Sequence, residues 1–260
     1  MAPYLVLTGI LIAVIFFILY KKPVIKADLP TGYQALLAEH VAFYRALDPA
    51  GKKRFEDKIQ ELLGYIRIHG VKTEVSDLDK LLIASSGIIP IFGFPEWKYY
   101  NLSDILLYPG SFNQENFAID HNENTLGMVG NGPMQRMMIL SKPALYHGFS
   151  NNMGKENTGI HEFVHLLDKE DGDVDGLPEA LLDKKFTLPW LNLVANEIKA
   201  IKDGHSDINV YGATNKAEFF AVAAEYFFEQ PEKFKQHHPG LYGMMTKIFQ
   251  QEPAMPQPQF

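Results

Sequence analysis

Cysteine is absent from all 260 residues of the sequence. This absence excludes a disulfide framework, and it also excludes any zinc site that uses thiolate ligands. A bound metal ion would have to be held by His, Asp or Glu side chains. That ligand set is typical of an open catalytic zinc site rather than a closed structural one.

An excess of basic residues is also lacking. The chain has 24 Lys and Arg against 31 Asp and Glu, which gives a formal net charge of −7. Because nucleic-acid binding needs a basic surface, no nucleic-acid partner is predicted. Internal repeats, a low-complexity core and an internal linker are missing too. With a hydrophobic content of 47%, the chain can build the sizeable core of one domain.

Charge is absent from the stretch Pro3 to Tyr20. As a helix these residues would be about 27 Å long, close to the ~30 Å of a bilayer core. A signal peptide is disfavoured, since there is neither a basic start nor a small-residue cleavage site. Lys21 and Lys22 follow the apolar stretch, which predicts that the rest of the chain is cytoplasmic. We therefore expect a single-pass membrane protein, with an anchor and basic flank at 1–26 and a domain at 27–260.

The remaining pattern predicts an α+β domain that is mainly helical, with a small sheet. Helical spacing runs from Tyr33 to Leu47, and helix starts are expected at Asp48-Pro49 and Ser76. Four short apolar runs, at 105–108, 117–119, 125–128 and 137–140, predict strands. Further helices are predicted at 189–201, 216–228 and 240–249.

The most informative stretch is 157–176, which contains His161, Glu162 and His165. Asn157 or Thr158 can cap a helix here, so the two histidines would lie one turn apart on the same face. Two imidazoles at that spacing can bind one zinc ion, and Glu162 occupies the position of a general base. The alternative is an ordinary helix in which two histidines occur by chance.

A third protein ligand is needed for a catalytic zinc site. Glu218 and Glu225 are seven residues apart in a strongly apolar helical stretch, and therefore lie on the same face. Each has another explanation: Glu218 can form a capping box with Asn215, and Glu225 can mark an exposed edge. Spacing alone does not choose between the two glutamates.

Acidic residues follow the predicted zinc helix. Asp171, Asp173 and Asp175 match the first half of an EF-hand loop, but position twelve of that loop is Leu182, where a bidentate Glu is required. A solvated acidic turn is therefore predicted rather than a calcium site. Asp168, one turn beyond His165, either supports the zinc site or is a surface acid.

These motifs resemble the Mlc titration factor A family of zinc-dependent peptidases, which is zincin-like and related to the peptidase domain of anthrax lethal factor. The likeness covers roughly residues 48–253. Its main segments are His161 to Asp168, Asp171 to Pro178, Tyr211 to Thr214, Ala217 to Ala221 and Glu225 to Phe228, with Leu81 to Ala84, Leu107 to Phe112 and Ile139 to Ser141 upstream.

The resemblance implies that Glu218 ligates zinc, that Tyr211 faces the site, and that Glu225 supports the ligands from behind. Two features depart from the family pattern. The membrane anchor is one, since the family member best known to us is soluble and cytoplasmic, and Lys216 in place of a proline is the other. The first concerns location and partners more than chemistry.

The sequence thus predicts a zinc metallopeptidase with one Zn²⁺ per chain, held by His161, His165 and Glu218. Glu162 would take a proton from a water whose pKa zinc lowers toward ~7, and Tyr211 would stabilise the oxyanion. The substrate would be a peptide or protein, and an aminopeptidase is one option. The alternative is a membrane-tethered, zinc-containing module that sequesters a transcriptional regulator, as the family name implies.

Overall fold

The computed structural model describes residues 26–119, 125–150 and 154–253. Ten α-helices lie within these ranges: α1 Tyr33–His40, α2 Ala42–Ala46, α3 Pro49–Tyr65, α4 Asp77–Ile91, α5 Lys142–Gly148, α6 Thr158–Asp168, α7 Thr187–Lys202, α8 Lys216–Glu229, α9 Pro231–His237 and α10 Pro239–Phe249. The four strands are β1 Arg67–Gly70, β2 Asp104–Tyr108, β3 Gly127–Val129 and β4 Met137–Ser141. The predicted α+β class, mainly helical with a small sheet, is confirmed for these residues.

The sheet has the strand order β1-β2-β4-β3. β1, β2 and β4 are parallel, whereas β3 pairs with β4 in the antiparallel direction, with Met128 opposite Ile139. β3 therefore forms one edge of the sheet, and it is this edge that packs beside α6. An edge strand keeps backbone groups free for a further extended segment.

Short polar side chains begin the helices that carry the site. Asn157 accepts a hydrogen bond from the Ile160 N–H, and Asn215 accepts one from the Glu218 N–H. α4 begins with a capping box in which Ser76 and Asp79 bind each other's backbone N–H groups. These caps satisfy amides that a helix leaves without partners, so the predicted helix starts at Ser76 and Asn157 are confirmed.

α6 lies between two strongly buried helices, α4 and α8. Two glycine contacts allow the close approach of α4. A Cβ at Gly87 would lie 2.7 Å from the Phe163 ring, and one at Gly159 would lie 2.1 Å from the Ser86 hydroxyl. Because the apolar flanks of α6 are buried on both sides, the direction of its polar face is fixed by packing.

Several predicted elements differ in the structure. The helical stretch from Tyr33 to Leu47 is broken at Val41, which has extended backbone angles. Residues 117–119 form no strand, since Phe117 has a positive φ of 57° and only Ile119 makes an isolated bridge. β1, α5 and α9 were not predicted.

The predicted membrane anchor, Pro3 to Tyr20, lies outside the described residues. Among residues 26–119, 125–150 and 154–253, no helix has the length and apolar character needed to cross a bilayer. Immediately after the undescribed N-terminal segment, the chain is attached to α3, where the Ala27 N–H donates to the Gln60 carbonyl and Lys26 pairs with Asp57 at 2.6 Å.

Candidate metal centre and active site

The two histidines predicted as ligands lie together on one face of α6. Their side chains are nearly buried, with 9% of His161 and 8% of His165 exposed. The ring centroids are 4.7 Å apart, and the two Nε2 atoms are separated by 3.1 Å. Both imidazoles therefore point into the same small space, as their four-residue spacing predicts.

Glu218 joins this pair from the first turn of α8. Its carboxylate lies 3.0 Å from His161 Nε2 and 3.4 Å from His165 Nε2. Asn215 does cap α8 through the Glu218 backbone N–H, so the capping explanation holds for the backbone. The Glu218 side chain, however, faces the histidines.

The three donor atoms have the spacing of a tetrahedral metal site. Donors about 2.0–2.1 Å from a tetrahedral zinc ion lie about 3.3 Å from each other. The separations of 3.0, 3.1 and 3.4 Å are close to this edge length. In the described part of the chain, His161, His165 and Glu218 form the one group able to hold a metal ion.

Glu225 lies behind His161 rather than among the three donors. Its carboxylate is 2.7 Å from His161 Nδ1, the ring nitrogen that faces away from Glu218. The other Glu225 oxygen accepts the Asn157 backbone N–H at 2.5 Å. A carboxylate in this position fixes the tautomer and orientation of a ligating imidazole. Position along α8 thus places Glu218 with the Nε2 atoms and Glu225 at Nδ1.

Electrostatics couple the three groups strongly. Burial opposes the charged form of His161, but Glu218 and Glu225 outweigh it and raise the pKa of His161 well above its usual value. Burial likewise opposes the charge on Glu218, yet the imidazoles of His161 and His165 lower the pKa of that carboxyl far below its usual range. These shifts favour an ionised Glu218 paired with a protonated His161, and a metal ion that binds here would displace the proton of that imidazole.

Glu162 points toward the edge strand β3. It is 5% exposed, and burial raises its pKa, although the neighbouring histidines partly oppose that effect. A Cβ at Gly127 would lie 2.5 Å from a Glu162 carboxylate oxygen. Gly127 was not predicted as a site residue, although a glycine inside a strand pattern indicates the close approach of another group.

Replacement of Gly127 by Ala is therefore expected to displace the Glu162 carboxylate. If Glu162 is the general base that the sequence predicts, kcat should fall by about 10- to 100-fold, because small misplacements of a reacting group have effects of this size. Metal content should stay unchanged, since none of the three donor atoms is contacted. Kinetics and metal analysis on the same preparation check this, and an unchanged kcat would contradict the role of Gly127.

Tyr211 reaches the site from the short 3₁₀ helix Val210–Ala213. Its ring centroid is 6.0 Å from that of His161, while 52% of the residue remains exposed. Burial and the nearby Glu218 raise the pKa of its hydroxyl, so this group stays protonated and able to donate. The structure thus brings Tyr211 to the site, as the family resemblance implies.

The site opens into a cleft of about 430 Å³. Its lining combines β3, the start of α6, the turn that carries Tyr211 and one face of α8, and the residues are Gln114, Thr125, Leu126, Gly127, Glu156, Thr158, His161, Glu162, Asn209, Tyr211, Val222 and Glu225. One wall thus includes Gly127 of the edge strand, and His161 and Glu162 of α6 also line the cleft.

Asp168 is a buried residue and not a surface acid. Its Oδ2 accepts the Gly176 N–H at 2.8 Å, and burial raises its pKa to about 6. Asp168 therefore holds the following acidic loop against the end of α6. In that loop Asp173 and Asp175 are exposed, and Asp175 accepts the Leu177 N–H of its own turn.

Glu229, one turn beyond Glu225, is a partly buried acid that the sequence did not single out. It accepts a hydrogen bond from the Asn157 side-chain amide at 2.8 Å, while burial raises its pKa to about 7. Asn157 thus caps α6 and contacts two of the three glutamates of α8, Glu225 and Glu229. Its amide ties the two helices together.

Replacing Glu229 by Gln is expected to stabilise the protein at alkaline pH. The folded-state pKa exceeds the unfolded one, so the wild-type carboxyl reduces stability progressively from about pH 4.5 to pH 7 and fully above that. Glutamine removes this penalty, which amounts to at most about 3 kcal/mol, and can still accept the Asn157 bond. Denaturant unfolding of chelated protein at pH 4 and pH 8 checks this, and an equal difference at both values would contradict it.

A helix that presents two histidines, a second helix that brings a carboxylate to them, and the edge of a small sheet beside them are the features of a metallopeptidase-like fold. A sequence model of the glucose-regulated metallo-peptidase M90 family matches residues 19–250. The chain belongs to this family.

Curated relatives extend the comparison. An uncharacterized protein of Synechocystis sp., slr2042, is 28% identical over 246 residues, which are 90% of this chain and 89% of that protein. Mlc titration factor A of Escherichia fergusonii is 30% identical over 165 residues, 58% of this chain and 60% of the relative. Mlc titration factor A of Salmonella arizonae is 28% identical over 206 residues, 73% and 78% of the two chains. The resemblance stated from the motifs is confirmed.

Proposed function

We propose that the protein is a zinc-dependent metallopeptidase that hydrolyses peptide bonds. The observation that carries this proposal is the convergence of His161, His165 and Glu218 at tetrahedral spacing, with Glu162 buried beside them. Two imidazoles and one carboxylate are the protein ligands of many catalytic zinc sites. When bound, zinc polarises a substrate carbonyl and makes water more acidic.

Glu162 is the general base in this proposal. Its raised pKa brings the carboxyl closer to the operating pH, where a base both accepts a proton and returns it. The carboxylate takes the proton of the attacking water and then delivers it to the leaving amine. Glu162 is not one of the three clustered donors, so it remains free for this transfer.

Tyr211 and β3 position the substrate. The protonated Tyr211 hydroxyl donates to the oxygen that becomes negative as the carbonyl is attacked. The edge strand β3 aligns an extended peptide through its backbone groups, since it lines the same cleft as Glu162. An aminopeptidase and an endopeptidase both fit such a cleft.

A second function is supported by the relatives named Mlc titration factor A. By this name they titrate Mlc, and we infer from it that the present chain binds a regulatory protein. Such binding does not require turnover, so the two functions are compatible.

We further propose that Pro3 to Tyr20 anchors the protein in a membrane as a single span, with residues 27–260 as a cytoplasmic catalytic domain. The uncharged stretch and the lysines after it support this location. In that case the substrate or regulator is met at the membrane surface.

The full chain, purified in detergent, tests the enzymatic proposal by metal analysis and a peptide library. We expect about one zinc per chain, hydrolysis that a chelator stops, and recovery on addition of zinc. A different outcome would favour the binding function over the enzyme: the zinc-loaded protein cleaves no peptide of the library but retains an Mlc-type regulator in a pull-down.

A further inference from the structure

The Tyr211 side chain contacts the site at two points, its ring beside His161 and its hydroxyl at Glu218. It is otherwise half-exposed, at 52%, and its neighbour Val210 is 76% exposed. The backbone of the short turn that carries Tyr211 therefore contributes to the location of its hydroxyl. We propose that Asn209 and Glu156 form a positioning pair that fixes the Tyr211 turn across the cleft from β3; this rests on the proposed role of Tyr211.

The side-chain amide of Asn209 makes two bonds of opposite kind. Its Oδ1 accepts the Tyr211 backbone N–H at 2.9 Å, and its Nδ2 donates to Glu156 Oε1 at 2.6 Å. A donor on one side and a carboxylate on the other define the orientation of the amide without ambiguity. Asn209 therefore connects the Tyr211 backbone directly to Glu156.

Glu156 lies beside the start of α6, so its bond to Asn209 joins the Tyr211 turn to that helix. Glu156 directly precedes Asn157, the cap of the helix that carries His161 and His165. Glu156, Asn209 and Tyr211 all line the cleft. The pair thus sets the Tyr211 turn relative to the start of the metal-ligand helix.

Asp207 holds the other end of the same segment. It is bound by Lys155 and Tyr226, each at 2.7 Å, and by His238 at 2.8 Å. This cluster keeps residues 207–208 on the protein body but contacts neither Tyr211 nor the amide of Asn209. Gly212, next to the tyrosine, is buried against Val222 of α8. The bond from Asn209 to Glu156 adds a side-chain attachment on the other side of Tyr211, toward the start of α6.

Replacement of Asn209 by Asp tests the pair. The aspartate keeps an oxygen for the Tyr211 N–H but faces Glu156 with a second carboxylate, and like charges so close repel. We expect kcat to fall about tenfold with unchanged metal content. The double variant Asn209→Asp, Glu156→Gln exchanges amide and carboxylate between the two positions and should restore kcat to within about threefold.

The variant Tyr211→Phe shows whether Asn209→Asp acts through the position of the Tyr211 hydroxyl or through a general disturbance of the structure. If Asn209 acts through the tyrosine hydroxyl, Asn209→Asp should cost nothing further once that hydroxyl is gone. The same tenfold loss in the Tyr211→Phe protein, or no recovery in the exchanged pair, would overturn the proposal. Asn196→Asp, which adds the same charge on the exposed face of α7, is the matched control and should leave kcat unchanged.

Fluorine NMR of fluorotyrosine-labelled protein supplies a readout that needs no turnover. The Tyr211 signal is assigned by its loss in Tyr211→Phe. We expect it to shift or broaden in Asn209→Asp and to return in the exchanged pair, while an unaltered signal in Asn209→Asp would overturn the proposal. If the wild type cleaves no peptide, the enzymatic proposal fails, whereas this measurement still decides whether the pair positions Tyr211.

Discussion

Replacement of Glu162 by Gln should abolish peptide hydrolysis while zinc remains bound. The amide has nearly the same shape as the carboxylate but cannot accept the proton of the attacking water. General-base catalysis contributes about 10²–10⁴-fold, so we expect kcat to fall by about 10³-fold or more. Because Glu162 is not among the three clustered donors, the metal content should equal that of the wild type.

The measurement pairs peptide cleavage with metal analysis on one preparation of each protein. Glu232→Gln, which removes an exposed carboxylate from the first turn of α9, is the matched control and should behave as the wild type. Cleavage by Glu162→Gln at the wild-type rate would rule out Glu162 as the base. Loss of zinc together with activity would instead make Glu162 part of the metal site.

The same variant separates catalysis from binding. A regulator that binds the surface of the protein should be captured equally by the wild type and by Glu162→Gln. A regulator that is also a substrate should remain intact on the variant and be cleaved by the wild type. Comparison of the two proteins in one pull-down therefore shows whether the partner is only bound or is also cleaved.

The helix that carries His161 and His165 could be predicted from the sequence because its signals are local. The spacing of His161 and His165 and the cap at Asn157 lie within nine residues, and the structure brings the pair together as that spacing predicts. Helix geometry alone determines that two side chains four residues apart share a face. No tertiary contact was needed for this step.

The roles of Glu218 and Glu225 could not be separated in the same way. Two residues seven apart in a helix share a face, so they differ only in height along α8. Which height meets the Nε2 side of His161 depends on how α8 crosses α6. That crossing depends on the packing of the whole core. At the level of the sequence, only the family resemblance favoured Glu218 over Glu225 as the ligand.

The sheet shows where local patterns fail. β1 was missed because Arg67-Ile68-His69-Gly70 contains one apolar side chain, and the strand is mostly exposed. Residues 117–119 were predicted as a strand from their apolar character, but the positive φ of Phe117 interrupts the extended backbone. Hydrophobicity reports burial, whereas strand pairing also requires a partner with free backbone groups.

Glu218→Gln should remove the metal, whereas Glu225→Gln should only weaken its binding. His161 presents Nε2 to Glu218 and His165 but presents Nδ1 to Glu225. An imidazole binds a metal through one nitrogen, and the Nε2 atom is the one that faces two further donors. The carboxylate on the Nε2 side is thus expected to be the ligand, while the one on the Nδ1 side orients the ring.

Loss of a charged ligand from a three-residue site should leave Glu218→Gln with less than about a tenth of the wild-type zinc content. Glu225→Gln keeps one oxygen that can accept from the imidazole, but its amide nitrogen then faces the Asn157 N–H that the second carboxylate oxygen accepts in the wild type. Its zinc affinity should fall by about 10- to 100-fold, the range found for groups that orient ligands. Competition with a chromophoric chelator measures both affinities, and unfolding of the chelated variants controls for stability. If Glu225→Gln lost zinc more completely than Glu218→Gln, the carboxylate on the Nδ1 side would be the ligand. The tetrahedral spacing of the two Nε2 atoms and Glu218 would then not mark the metal site.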